Sequence, residues 1–221
     1  MRTLTDLTHT DDPAWPLVQQ WVADAPSVQV LPAERTKAEE ALLQLQVTLR
    51  SPMGAVVYHT GGLLIDHGWL RVLGSGSERM TRSLHGWNQG KAPVDANGRP
   101  TLVLAADDVL GGLFAVNGGA LGEKQGEVFY FAPDTLQWEG LSMGYTDFLA
   151  WALSPRLSEF YRDLRWPNWQ DEVATLTGDQ AVSVYPFVWA KGPPLGQRTR
   201  KSIPVDELFR LTLDLRQQLS R

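Results

Sequence analysis

Residues 107–153, DDVLGGLFAVNGGALGEKQGEVFYFAPDTLQWEGLSMGYTDFLAWAL, decide the fold, because they string three strand-like runs and an amphipathic helix in immediate succession. The run 113–116 is closed by Asn117-Gly118-Gly119, and the run 128–131 is closed by Ala132-Pro133-Asp134. Apolar, β-branched and aromatic residues bounded by turn formers predict two strands of a meander. A third run at 136–141 gives way to Tyr145, Phe148, Leu149, Ala152 and Leu153. Their i, i+3, i+4, i+7, i+8 spacing predicts one buried helical face.

Working outward, residues 101–106 form a continuous apolar run ending at Asp107-Asp108. Upstream, residues 47–76 offer β-rich runs separated by Ser51-Pro52, Gly61-Gly62 and His67-Gly68, read as an antiparallel meander with a tight turn at the glycine pair. Two amphipathic helices precede it. The first follows Asp12-Pro13 and carries Trp15, Val18, Val22 and Ala25; the second follows Pro32, with a short strand at 28–31 between them. Residues 89–100 are rich in turn formers and read as an exposed connection. After residue 153 come two further helical segments, a strand-like stretch demoted to an edge by Pro186, and a terminal helix. That last helix has Asp206 and Glu207 in its first turn and Val205, Leu208, Leu215 and Leu219 toward the core.

The expectation is a single domain over 1–221, with N-terminal helices at 12–46, a sheet core at 47–141 and a helical part at 142–221. Its class is α+β, a mostly antiparallel sheet of five or six strands with helices from both chain ends packed chiefly on one side.

The 221 residues carry a net charge of −5 and no cysteine. An acidic balance argues against nucleic-acid and anionic-membrane partners, and the missing thiols exclude disulfides and thiolate metal sites. The first residues show no leader-like pattern and no run approaches a membrane span, so a cytoplasmic location is expected.

Motifs that carry chemistry are sparse, and no catalytic residue, cofactor or metal site is assigned. His59, His67 and His85 lack H-E-x-x-H or i, i+4 pairing. Gly74-Ser75-Gly76 ends a strand before a helix-like segment, yet it has neither the P-loop nor the G-x-G-x-x-G spacing, and no G-x-S-x-G elbow surrounds Ser75. Asp107-Asp108 offers paired carboxylates, whose commoner role is turning the chain. Arg198, Arg200 and Lys201 read as a solvated basic run. The best ligand-binding candidates are Arg71, Trp87, Asn88, Asp107 and Asn117, with Trp69 beside them. Arginine, tryptophan and asparagine near glycine turns supply charge, stacking and directed hydrogen bonds.

At GGLLIDHGWLRVLGSG, the following Trp87-Asn88, and the long stretch quoted first, the chain resembles DUF2625, a bacterial family that brings no assigned chemistry. Residues 111–117, 128–131 and Tyr145-Thr146-Asp147-Phe148-Leu149 are also similar in order to the Smi1/Knr4-like (SUKH) immunity superfamily. That second resemblance implies a SUKH-like core and a non-catalytic module that binds another protein. The alternative is a small-ligand binder or enzyme using the glycine-turn residues. Oligomeric state is left open.

Overall fold

Each strand of the large sheet pairs with its neighbour in sequence, all antiparallel, in the order β1-β2-β3-β4-β5-β6-β7. The strands are β1 (Val28–Pro32), β2 (Thr60–Ile65), β3 (Leu70–Leu73), β4 (Leu102–Asp108), β5 (Leu113–Asn117), β6 (Glu127–Ala132) and β7 (Gln137–Gly144). This computed structural model describes residues 1–219. A second, two-stranded sheet joins β8 (Gln180–Tyr185) to β9 (Thr199–Pro204). The class is α+β, with seven strands in the main sheet rather than five or six, because the strand at 28–32 joins its edge.

Alternation along the strands divides the core in two. Ile65, Val72, Phe114 and Tyr130 face α2 (Trp15–Asp24), α6 (Tyr145–Ala152), α7 (Arg156–Phe160) and α8 (Trp169–Ala174). Leu64, Leu73, Leu113 and Phe131 face α5 (Leu84–Asn88) and α9 (Val205–Leu219). Helices therefore cover both faces, which corrects the one-sided packing expected. A smaller cluster of Leu7, Leu42 and Leu49 joins α1 (Leu4–Thr8) to α3 (Arg35–Leu45). Among the described residues no helix is long and apolar enough to cross a membrane.

Several local readings change, and residues 47–50, expected as strand, carry a turn instead. Residues 52–59, expected as strand, form α4 (Pro52–His59). The Ser51 hydroxyl accepts from the Gly54 amide at 3.0 Å and Pro52 occupies the first turn, so Ser51-Pro52 is a helix start. Gly61-Gly62 lies inside β2. A Cβ on Gly61 would stand 2.7 Å from the carbonyl oxygens of Gly76 and Pro32, so close packing and not a turn requires the glycine there. On α9, Val205 and Leu208 are buried as expected and Leu215 is half-buried, but Leu219 is 60% exposed because the last turn overruns the core.

Gly112 shows how tightly the β4–β5 turn is built: a Cβ there would lie 2.1 Å from Asp108 Oδ2 and 2.6 Å from the Tyr130 hydroxyl. Gly112→Ala is expected to lower stability by on the order of 3 kcal/mol, the upper end of the usual overpacking cost. Urea titration followed by tryptophan fluorescence checks it. With the same titration read by far-ultraviolet circular dichroism, coincident single transitions are expected for a chain that unfolds as one unit.

Candidate functional site

Two adjacent carboxylates at the end of β4 organise the interior, and the pleat sends them to opposite faces. Asp107 stands across from Arg71 in the β3–β4 ladder. Both side chains are almost wholly buried, and Arg71 Nε donates to Asp107 Oδ1 at 2.5 Å. Its other nitrogens donate to the carbonyls of Gln180 and Asp108, each at 2.8 Å. Arg82 also ion-pairs with Asp107, and it donates to Asp179 Oδ1 at 3.2 Å and the Gly178 carbonyl at 2.6 Å. Asp179 in turn accepts from the Thr81 amide at 2.7 Å. This network ties the start of β8 to the main sheet. Burial pushes the Asp107 carboxyl up, but Arg71 and Arg82 outweigh it and hold the group below its ordinary value.

On the other face, the Asp108 carboxyl forms no ion pair among the described residues, and Arg71 acts on it only at a distance. Its Oδ1 accepts from the amides of Leu110 and Gly112, both at 2.9 Å. Its Oδ2 accepts from the hydroxyls of Tyr130 at 2.8 Å and Tyr161 at 3.0 Å. Burial raises the carboxyl above its ordinary value, and the donated hydrogen bonds only restrain the rise. Burial and the facing carboxylate push both tyrosines well above theirs. The four donors satisfy the carboxylate, so the cluster has the character of a turn anchor.

The five sequence candidates are placed as follows. Arg71 and Asp107 are brought together, as partners of each other. Trp87 is buried between cations of its own chain, with the Arg82 guanidinium 4.6 Å and the Lys91 ammonium 4.2 Å from its ring. Asn88 clamps β4 where its register shifts between Leu104 and Ala106, donating to the Leu104 carbonyl at 2.9 Å and accepting from the Leu104 amide at 2.8 Å. Asn117 holds the following loop, accepting from the amides of Gly119 and Leu121 and donating to the carbonyls of Gly122 and Lys124. Trp69 is fully buried among the rings of Tyr161, Trp166 and Trp169, with Arg165 stacked on the group.

The weighed motifs resolve similarly. The amides of Ser75, Gly76 and Ser77 donate to the carbonyls of Thr60, Gly61 and Met80, so the glycine-rich turn spends its amides on the protein itself. His59 stacks on Trp15, His67 meets the edge of Trp169, and His85 pairs with Gln89. Arg198 and Arg200 are not solvated: Arg198 donates to the carbonyls of Pro186, Phe187 and Pro193, and Arg200 ion-pairs with Glu172.

Sequence reasoning missed a polar trough beside that turn. One cavity of about 530 Å³ is lined by Gln29, Lys37, Ser77, Glu78 and Arg79 among others. An adjoining one of about 350 Å³ shares Lys37 and adds Glu40, Gln44, Ser83 and His85. The helical spacing of Lys37, Glu40 and Gln44 carried the signal, as a polar stripe on α3 opposite a serine-rich segment.

Asp107→Ala leaves two buried guanidiniums without their carboxylate and is expected to cost about 3–5 kcal/mol, read by denaturant titration. The two carboxyls have opposite pH signatures. Asp107, lowered, stabilises the fold above its ordinary value of 3.8, and that contribution is lost as pH falls through the folded value. Asp108, raised, costs stability as pH climbs above 3.8. Asp108→Asn is therefore expected to gain stability at neutral pH relative to its own value at pH 4, when each is compared with the parent chain. An unchanged difference between the two pH values would show that Asp108 titrates as if unburied.

The family model described as protein of unknown function DUF2625 matches residues 4–208. Among similar proteins, the putative uncharacterized protein YbfG of Escherichia coli K12 is 45% identical over 222 residues, covering 100% of both chains. An uncharacterized protein of Haemophilus influenzae is 43% identical over 208 residues, 94% of this chain and 87% of the relative. These matches lend no support to the fainter SUKH resemblance. A match over nearly the whole chain, together with two relatives above 40% identity, establishes that the chain belongs to the DUF2625 family.

Proposed function

We infer that the protein is a non-catalytic module that binds another protein through an acidic surface. The observation that carries this reading is the unequal use of charge. Arg71, Arg82, Arg165, Arg198 and Arg200 are spent inside the fold, on carboxylates and carbonyls. Asp11, Asp12, Asp24, Asp147, Asp163 and Asp171 are exposed and stand in none of the ion pairs described. Exposed cations such as Arg50, Arg99, Lys191 and Lys201 remain, but among the described residues exposed carboxylates outnumber exposed cations. Such a surface steers a basic partner and repels acidic ones. Arg71, Asp107, Asp108, Tyr130 and Tyr161 are hydrogen-bonded within the protein, as structural groups are.

A second reading rests on the trough between α3 and residues 75–85, whose mixed charge suits a small polar molecule. Affinity capture from the native cell distinguishes the two. A protein released by raised salt and rebinding in purified form with a submicromolar Kd is the expected result. Recovery of a metabolite instead, raising the Tm with its concentration as linkage requires, overturns the binding-module reading in favour of the trough.

A further inference from the structure

The main sheet ends in β7, and β7 is unusual for an edge. At eight residues it is the longest strand of the sheet. Among the described residues it pairs only with β6, so one row of its amides and carbonyls faces away from the sheet. Its side chains are exposed or half-buried throughout, with Gln137, Glu139, Gly140 and Ser142 the most open.

Edges are normally blunted by lysine, by proline, by shortness or by bulges. β7 contains neither lysine nor proline and is not short. The ladder with β6 shifts register between Glu127 and Phe129, and Ser142 sits at φ 54°, so the far end of β7 is twisted out of regular pairing. Residues 137–140 keep an unbroken ladder with Ala132 to Phe129 and carry no such protection. Gly140, with no side chain, lets another backbone approach closely.

Charge decides what fits there. Glu139 projects from the open segment, Asp134 lies in the turn before β7, and Asp147 lies in the first turn of the helix after it; all three are exposed. Lys124 is paired with Glu127 inside the β5–β6 connection and β6, and Arg216 of α9 lies over the Phe131 ring beside Gln137 and Trp138, at the start of the strand. A second copy of the chain pairing antiparallel along 137–140 would bring Glu139 close to its own symmetry mate, and like charges across a ladder are destabilising. A lysine- or arginine-bearing strand meets the opposite sign.

Resting on the protein-binding reading above, we propose that the β7 edge is the docking site, and that it takes an extended basic segment of the partner as an eighth strand. Main-chain hydrogen bonds supply affinity and the alternating cationic side chains supply selectivity.

The test uses the full-length protein and two eight-residue fluorescent peptides, one alternating Lys and Val, the other Glu and Val, read by anisotropy. The Lys peptide is expected to bind at least tenfold more tightly, and Glu139→Lys is expected to remove that preference while leaving the melting curve in place. Amide exchange at residues 138–140 should slow when the Lys peptide is bound, which purely electrostatic adhesion elsewhere would not produce. Equal binding of both peptides, or loss of preference without protection at 138–140, overturns the proposal. A concentration-dependent dimer abolished by substitutions in β7 would also overturn it, in favour of self-pairing. If a captured protein partner binds Glu139→Lys as tightly as the parent chain, the edge is wrong while the binding-module reading stands; if no protein partner exists, that reading itself fails.

Discussion

The pairing of Arg71 with Asp107 is the contact on which the architecture depends. Two oppositely charged side chains stand directly across adjacent central strands, both inside the protein, where an unpartnered charge is costly. The pair alone would not satisfy five guanidinium donors. The carbonyls of Gln180 and Asp108 take up others, so the C-terminal hairpin must be in place for the centre of the sheet to be complete. Arg82 extends the requirement to Gly178 and Asp179. Residues more than a hundred positions apart are thereby made to close on one another, and the helices on that face pack over a polar knot that is already satisfied.

The opposite face solves a different problem with the neighbouring residue. Among the described residues Asp108 has no ion-pair partner, and its four donors come from its own turn and from two tyrosines, one on β6 and one following α7. Tyr161 thus anchors the helical layer to the sheet by a hydroxyl, while its ring packs with Trp69 and Phe160. Desolvating a carboxylate in this way is unfavourable, and its retention in the core fits a role in specifying the turn more than in adding stability.

Much of this was legible in the sequence where pattern and propensity agree. The strands at 113–117 and 127–132, the helix from Tyr145 and the terminal helix all follow from periodicity bounded by turn formers. Residues 52–59 read as strand in the sequence because Val56, Val57 and Tyr58 are good strand formers, and the capping geometry of Ser51 makes them a helix. The candidate site was legible by residue type but not by role. Arg71 and Asp107 are 36 positions apart, and no local rule reveals that they are mutual partners. Asn88 and Asn117 stand out in the sequence for their hydrogen-bonding capacity, and that capacity goes to backbone groups of β4 and the loop after β5. The trough escaped notice because its walls come from separate segments.

The register shift in β4, which Asn88 grips from the side, governs the phase of everything downstream. Leu104 and Ala105 both pack into the α9-facing core, so one residue is gained before the alternation resumes at Ala106. That single step decides which aspartate meets the arginines and which meets the tyrosines. In a uniformly alternating strand matched to Leu102 and Leu104, Asp108 would be turned toward Arg71 and Arg82, while Asp107 would be left facing two phenol hydroxyls. Adjacent, chemically identical side chains with non-interchangeable surroundings thus work as a parity check on the strand. The chain tolerates no frame in which the count between residues 104 and 107 is off by one, and Asn88 is the residue that keeps the count.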